Sequence, residues 1–175
     1  MYDLSNFTQK RTIGKDLFHT VYFVKSLEED ITGSRTSFFI RINTKGMNPY
    51  FATDSSKSDV NIASEIAKMQ WMQIPAYYPN ICLDSFTINP SSVQGIVSII
   101  DDKNVTPKHK ELEQLFNFPP PKLLLEAFTH FKACCAKSIN TSMPDLGFGW
   151  QPLFTSLVIS NNTSLSRFRD YIQNK

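Results

Sequence analysis

The residues best suited to covalent chemistry in this chain are a histidine and a cysteine four positions apart, His130 and Cys134, with Asp145 in the next predicted loop. On a helix, residues four apart lie on the same face, so the imidazole could activate the thiol as a nucleophile. Phe128 and Phe131 surround this pair in the sequence. Because a cysteine on an apolar helix face usually only fills the core, we predict no catalytic residue here.

A metal site is not indicated by the spacing of the residues that could bind one. His19, His109 and His130 lie far apart in the sequence, and no Cys-x-x-Cys pair is present. A structural zinc site needs closely spaced ligands of this kind. Asp101 and Asp102 form a polar break between predicted elements, which is typical of a solvated turn. The sequence therefore predicts neither a metal nor another cofactor.

The composition is that of a globular protein with little charge bias. Of the 175 residues 41% are hydrophobic, and 18 basic against 16 acidic residues give a net charge of +2. Binding through phosphates needs a basic stripe, and none is present, so we expect no nucleic-acid partner. The apolar runs are too short to span a bilayer, so we expect no membrane association. The N-terminus lacks the hydrophobic region of a secretory signal, so we expect no secretion. Three cysteines, two of them adjacent, favour reduced thiols in the cytoplasm or nucleus.

The hydrophobic pattern divides the chain into a strand-rich part and a helix-rich part. Short β-branched and aromatic runs predict strands at residues 7–13, 17–25, 36–43, 81–88, 93–100 and 153–159. Apolar residues at three- and four-residue steps predict helices at 59–73, 108–116, 121–139 and 165–172.

This segregation predicts an α+β fold. We expect a five-stranded antiparallel sheet with one packed helix, followed by a mainly helical C-terminal part. The chain should form a single compact domain over residues 1–175, with a sheet-rich part at 1–103 and a helical part at 104–175.

Four aromatic pairs fall in predicted loops or at the ends of elements. Exposed aromatic side chains in such places are common anchors of protein interfaces. The alternative is that they close the core. The pairs are Tyr50 with Phe51, Tyr77 with Tyr78, Phe116 with Phe118, and Phe148 with Trp150.

The order of elements in residues 7–101 resembles the small N-terminal lobe of a protein kinase. Residues 7–25 are similar to its first two strands and glycine loop, with Gly14 retained but Asp16 and Phe18 where small residues are expected. An acidic side chain there would repel nucleotide phosphates. The resemblance therefore implies a lobe that does not cradle ATP.

The third strand and the first helix carry the next part of this resemblance. Residues 38–41 match the Val-Ala-Ile-Lys segment of kinases, which puts Arg41 at the lysine and Phe39 at the small residue that covers adenine. The helix at 59–73 resembles the αC helix, with Glu65 at its glutamate. The resemblance implies a structural Arg41–Glu65 ion pair, and the alternative is that both are ordinary exposed charges.

Residues 143–160 resemble a degraded kinase catalytic loop. Asp145 and Leu146 match the Asp-Leu of its His-Arg-Asp-Leu motif, while Met143 and Pro144 replace His-Arg. No Asp-Phe-Gly metal-binding motif follows. Because positioning and metal electrostatics carry phosphoryl transfer, the resemblance implies that the protein is not an enzyme.

These features together predict a non-catalytic module that binds another protein. By analogy, a truncated pseudokinase-like chain suits a viral accessory protein that antagonises a host kinase or its substrate complex. Two alternatives stay open. One is an atypical nucleotide-binding phosphotransferase using Arg41, Glu65 and Asp145, and the other is an unrelated α+β adaptor or assembly subunit.

Overall fold

The hydrophobic strands of this chain assemble into one sheet, seen in a computed structural model that describes residues 7–14, 17–24, 35–52, 61–100 and 120–174. For 7–14 and 17–24 only the backbone is described. The strands are β1 (Phe7–Gly14), β2 (Leu17–Val24), β3 (Arg35–Asn43), β4 (Ile81–Asn89), β5 (Ser92–Ile100) and β6 (Thr155–Ile159). The helices are α1 (Ile62–Met72), α2 (Ile74–Tyr77), α3 (Lys122–Ser142) and α4 (Asn162–Gln173), with 3₁₀ turns at Lys45–Met47 and Pro144–Leu146.

The strands form an antiparallel sheet in the order β1-β2-β4-β5-β3-β6. The predicted α+β class is therefore confirmed. β6 pairs with β3 along its outer edge, from Ser37 opposite Ile159 to Arg41 opposite Thr155. The part predicted as mainly helical thus supplies a strand to the sheet. The five-stranded arrangement of a kinase small lobe is not confirmed, since hydrophobic pattern alone does not specify which strand pairs with which.

The main core lies between the sheet and the helices α1 and α3. Trp71 of α1 is fully buried and its ring centroid lies 5.6 Å from that of Phe86, 5.4 Å from Phe128 and 5.5 Å from Phe131. Gly95 of β5 lies beneath this indole, where an added Cβ would stand 2.6 Å from the Trp71 ring. A side chain at residue 95 is therefore excluded by packing.

Asparagine caps set the start of two helices. Asn61 accepts a hydrogen bond from the Ser64 N–H at 2.9 Å, and Asn161 accepts one from the Ser164 N–H at 2.8 Å. Such caps satisfy N–H groups that a helix start leaves unpaired. The predicted helix start at residue 59 and the predicted helix at 108–116 lie outside the described residues.

None of the helices in the described ranges is long and apolar enough to cross a bilayer.

Candidate functional site

One face of the sheet is covered by α1 and α3, whereas α4 packs on the opposite face. Phe39, Ile96, Ile159 and Ile172 form the buried cluster beneath α4. Phe168 of α4 stacks on Phe39 with 4.9 Å between the ring centroids. This helix therefore sits on an apolar area formed by β3, β5 and β6.

An ion pair fixes α4 to the neighbouring strand β4. The Arg169 guanidinium donates from Nη2 to Asp84 Oδ2 at 2.6 Å and from Nε to both carboxylate oxygens, at 3.1 and 3.2 Å. The Asp84 side chain is only 7% exposed and that of Arg169 is 31% exposed. The carboxylate also accepts the Ser85 N–H at 2.7 Å. Such a two-pronged contact fixes orientation as well as distance.

Beside the area under α4, the same face of the sheet carries polar side chains, because residues two apart on a strand point the same way. The register sets Arg41 opposite Gln94, and Gln94 opposite Thr87 on its other side. Cross-strand partners such as these lie side by side. We call this group the polar row, and its members are Arg41, Asn43, Thr87, Ser92 and Gln94.

Internal hydrogen bonds satisfy only part of the polar row. Gln94 Nε2 donates to Ser92 Oγ at 3.1 Å, and Arg41 Nε donates to Asn43 Oδ1 at 3.1 Å. In contrast, Gln94 Oε1 and Thr87 Oγ1 are buried without a hydrogen-bond partner among the described residues, as is Ser85 Oγ on β4. Buried polar atoms are nearly always paired, and leaving one unpaired costs about 1–3 kcal/mol. In the described part of the chain, three buried oxygens on the adjacent strands β4 and β5 therefore lack a hydrogen-bond partner.

The fully buried side chains of the polar row are uncharged, and its cationic side chain lies at the edge. Ser92, Gln94 and Thr87 are at most 2% exposed, whereas Arg41 and Asn43 are half-buried. Hydroxyl and amide groups both donate and accept hydrogen bonds without carrying charge. Within the described ranges no three His, Cys, Asp or Glu side chains are placed to hold a metal ion. The polar row thus combines fully buried, uncharged hydrogen-bonding groups with one half-buried cation, Arg41.

A tyrosine on α4 borders this face. Tyr171 is 39% exposed, and its ring meets Phe39 edge-on at a centroid distance of 5.9 Å. Phe39 and Arg41 are two apart on β3 and share a face. The Tyr171 ring, whose hydroxyl is of a type that can act as a nucleophile, therefore lies beside Phe39, which is two residues along β3 from Arg41.

The structure separates the two residues of the predicted Arg41–Glu65 pair. In the described part of the chain, Glu65 on α1 forms its ion pair with Lys68 at 3.4 Å, while the Arg41 guanidinium binds Asn43 on the same strand. Arg41 belongs to the face beneath α4, and α1 packs on the opposite face. The ion pair implied by the kinase resemblance is therefore not formed, because the sheet lies between its partners.

Four of the predicted interface aromatics lie together at one end of the core. Phe51 and Phe148 are each 5% exposed, and Tyr50 and Trp150 are half-buried around them. The Tyr50 hydroxyl donates to the Gly147 carbonyl at 3.1 Å. Ring centroids within the group are 5.0 to 5.6 Å apart. The structure thus places these side chains mainly in packing, and their role as interface anchors stays a prediction.

The other predicted aromatics differ in exposure. Tyr77 is 60% exposed, whereas Tyr78 is half-buried and its hydroxyl donates to the Glu126 carbonyl at 3.4 Å. Both rings contact the imidazole of His130, with centroids at 4.8 and 5.9 Å. Phe116 and Phe118 lie outside the described residues.

The cysteines of α3 divide into a buried and a half-buried thiol. Burial raises the pKa of the Cys135 thiol, and the adjacent Cys134 raises it further. Such a thiol stays protonated and is a poor nucleophile. Cys134 is half-buried and lines a small surface cleft with His130 and Tyr77.

Comparison with solved structures identifies the fold. The chain is similar to the REP-associated tyrosine transposase bound to a REP hairpin, with a TM-score of 0.50 and 11% identity over 84% of this chain and 70% of that one. It is also similar to a putative transposase of Deinococcus radiodurans R1, with a TM-score of 0.43 and 16% identity over 86% of this chain and 96% of that one. No protein-family model and no curated protein matches the sequence. The fold is therefore one found in a transposase.

This likeness corrects the predictions that followed from the kinase resemblance. The pseudokinase-like fold, and the viral module that antagonises a host kinase, are wrong, because the matching structure is a tyrosine transposase. The predictions of a non-enzyme and of no nucleic-acid partner are overturned by the same structure, which is a transposase bound to a hairpin. The kinase resemblance rested on the order of the elements along the chain. Proteins with the same order of elements can arrange their strands in different spatial orders, so the resemblance did not determine the fold.

The polar row has only a weak signal in the sequence. Gln94 and Thr87 are polar interruptions in otherwise apolar strands, and such residues are commonly exposed. Their burial on one face is visible only when β3, β4 and β5 are placed side by side. The net charge of +2 likewise describes the whole chain and does not report where a single arginine such as Arg41 lies.

Proposed function

We propose that this chain binds a nucleic-acid strand on the face of the sheet that carries the polar row. The observation that supports this most is the combination of neutral hydrogen-bonding groups with Arg41 beside them on that face. A nucleotide has the matching composition, since its base is neutral and its phosphate is anionic. The fold likeness to a transposase bound to a REP hairpin agrees with this choice.

The positions of the basic residues add to the argument. Arg41 lies in the polar row, and Arg167 of α4 is exposed four residues before Tyr171, so these two α4 side chains share one side of the helix. Local cations of this kind attract phosphates even where the net charge of the protein is small.

We propose that the whole chain acts as one domain, since β6 from its C-terminal part completes the sheet beside β3.

The test is a titration of a fluorescently labelled DNA hairpin followed by anisotropy, at several salt concentrations. We expect saturable binding that weakens as salt rises, because each phosphate contact releases a counterion. Arg41→Gln should weaken binding several-fold and reduce the salt slope by about one contact.

Lys122→Gln is the matched control. It removes the same charge from a side chain that is 90% exposed on α3, on the other side of the sheet. Equal effects of the two substitutions would refute binding on the polar-row face. Absence of binding at low salt would refute nucleic-acid binding altogether.

A second candidate function is cleavage of the bound strand with Tyr171 as the nucleophile. Its support is the position of this partly exposed tyrosine next to Phe39, on the same face as Arg41. In such a step the phenolic oxygen would bond to phosphorus and the bond from phosphorus to the leaving sugar oxygen would break. The phenolic proton would pass to a base, and the leaving oxygen would take up a proton.

This candidate is tested by incubating the protein with end-labelled strands in buffer containing a divalent cation, then resolving the products on a denaturing gel. We expect a covalent protein–DNA adduct that Tyr171→Phe abolishes. Tyr77→Phe, at an exposed tyrosine away from the polar row, should leave the adduct intact. An adduct that survives Tyr171→Phe would show that Tyr171 is not the nucleophile.

A further inference from the structure

The strand that binds α4 through the ion pair contains a bulge at that point. Between Leu83 and Phe86, which both pair with β5, strand β4 contains two residues where β5 contains one. The two residues are Asp84 and Ser85, and the Ser85 N–H donates to the Asp84 carboxylate at 2.7 Å. A bulge redirects a side chain, and bulges are common beside active sites. The backbone of the bulge therefore helps to hold the carboxylate that Arg169 binds.

Helix α4 is held on the sheet in two different ways. Leu165, Phe168 and Ile172 contribute to the apolar cluster, whereas Arg169 binds Asp84 through three hydrogen bonds. Apolar burial depends on area and has no preferred direction, so this packing tolerates a small rotation or slide of the helix. A two-pronged contact between guanidinium and carboxylate does not, because it fixes orientation as well as distance.

Stability alone is a weak reason for such a pair. Burying a carboxylate costs much of what its partner returns, so apolar side chains of similar size can often replace a buried ion pair without loss of stability. The better-attested benefit of a buried ion pair is a fixed register between two elements. Arg169 precedes Tyr171 by two residues, about 3 Å along the axis of α4, so the residue held in register nearby is the tyrosine.

From this arrangement we infer that Asp84 and Arg169 are positioning residues for strand cleavage by Tyr171. The ion pair sets the rotation and the axial position of α4, and with them the place of the phenolic oxygen relative to a phosphate bound beside Arg41. This inference rests on the second candidate function and adds the residues that orient its nucleophile. A displacement of about 1 Å in a reacting group can lower a rate about a hundredfold, so a small rotation of α4 is enough.

The experiment measures formation of the covalent protein–DNA adduct in a single turnover, with the full chain in excess over an end-labelled DNA strand. Varying the protein concentration separates the rate at saturation, which reports positioning, from the half-saturating concentration, which reports binding. Arg169→Lys keeps the charge but replaces the planar, two-pronged donor with a point charge. We expect it to lower the saturating rate about ten- to a hundredfold and to change the half-saturating concentration less than about twofold.

Asp84→Asn removes the other charge of the pair and should lower the saturating rate in the same way. Because both residues act through one contact, the double variant should be no slower than the slower of the two single variants. Asn140→Ala is the stability control, since Asn140 holds Phe148 on the face of the sheet opposite to α4, and its saturating rate should be unchanged. Thermal unfolding gives a temperature at which every variant is folded.

A saturating rate that is unchanged in both Arg169→Lys and Asp84→Asn would overturn the inference while leaving cleavage by Tyr171 intact. An equal loss of rate in Asn140→Ala would also overturn it, because the rate would then follow stability. Effects that multiply in the double variant would do the same, because the two residues would then act separately. Should one single variant fail to fold, the other still decides the outcome. If the unaltered protein forms no adduct, the second candidate function fails and the inference falls with it.

Discussion

Asp84 on β4 and Arg169 on α4 are 85 residues apart in sequence, yet their charged groups meet at 2.6 Å. This pair holds α4 on the sheet, and α4 carries Tyr171 two residues further on. Residues two apart on a helix point about 200° apart, so Arg169 and Tyr171 project to opposite sides of it. The ion pair on one side of α4 therefore sets the position of the tyrosine on the other.

Breaking this ion pair should destabilise the protein to an extent that depends on which charge is left. Arg169→Met leaves the buried Asp84 carboxylate with the Ser85 N–H and should cost about 3 kcal/mol. Asp84→Asn leaves a guanidinium that already reaches solvent and should cost about 1–2 kcal/mol. Urea unfolding of both variants measures the difference.

Arg167→Met is the control for that experiment, because Arg167 is an exposed arginine on the same helix. Its free energy of unfolding should stay within about 0.5 kcal/mol of the unaltered protein. Equal losses for Arg167→Met and Arg169→Met would show that the ion pair does not hold α4 in place.

Gly95→Ala should be strongly destabilising although it adds a single methyl group. The new Cβ would stand 2.6 Å from Trp71 Cζ2 and 2.7 Å from Phe86 Cβ, neither of which can move without disturbing the core. Overpacking of this kind costs about 3 kcal/mol. Chemical denaturation should show this loss.

Gly149→Ala makes the same chemical change where space exists, since its Cβ would approach only the Lys45 side chain, at 3.4 Å. We expect a change of less than about 1 kcal/mol there. A Gly95→Ala protein as stable as Gly149→Ala would contradict the packing of Trp71 against β5.

The stability of the protein should fall at alkaline pH partly because of Cys135. Burial raises the pKa of this thiol above its ordinary value of 9.0. Above that value the unfolded chain loses the thiol proton while the folded chain keeps it, so the free energy of unfolding decreases as pH rises, by up to about 1.4 kcal/mol per pH unit.

The measurement is the free energy of unfolding from about pH 7 to about pH 10.5 for the unaltered protein and for Cys135→Ala. The unaltered protein should exceed Cys135→Ala in free energy of unfolding by an amount that becomes smaller as pH rises above about 9, because only the unaltered protein has the Cys135 thiol proton to lose on unfolding. A difference that stays constant with pH would show that the Cys135 thiol is not held in its protonated form.

Asn140 on α3 should hold the aromatic group formed by Tyr50, Phe51, Phe148 and Trp150. Its side chain donates to the Phe148 carbonyl at 3.0 Å and accepts the Phe148 N–H at 2.9 Å. Asn140→Ala removes both bonds and leaves these backbone groups half-buried, at a cost of about 2 kcal/mol.

A partial loss of the near-ultraviolet circular dichroism signal of the tryptophans should accompany the loss of stability, because Trp150 belongs to this aromatic group whereas Trp71 lies in the main core. Asn174→Ala, at the exposed end of α4, is the control and should change neither the signal nor the free energy of unfolding by a measurable amount. An Asn140→Ala variant with an unchanged signal would contradict the anchoring role.

The sequence by itself determined most of the elements. The strand predicted at 36–43 is β3 (Arg35–Asn43), and the helix predicted at 121–139 is α3 (Lys122–Ser142). Periodicity and turn residues act over a few neighbouring positions, so they can be read from the chain directly. The α+β class followed from the same local information.

The tertiary structure alone decided the order of the strands and with it the site. Hydrogen bonds between strands involve the backbone, which is the same in every residue, so the sequence did not show that β4 and β5 lie between β2 and β3. That order brings Arg41, Gln94 and Thr87 together from three strands. It also sets Arg41 and Glu65 on opposite faces of the sheet, so the ion pair that the kinase resemblance implied does not form. That resemblance was wrong because it rested on the order of elements along the chain, which does not determine their order in space.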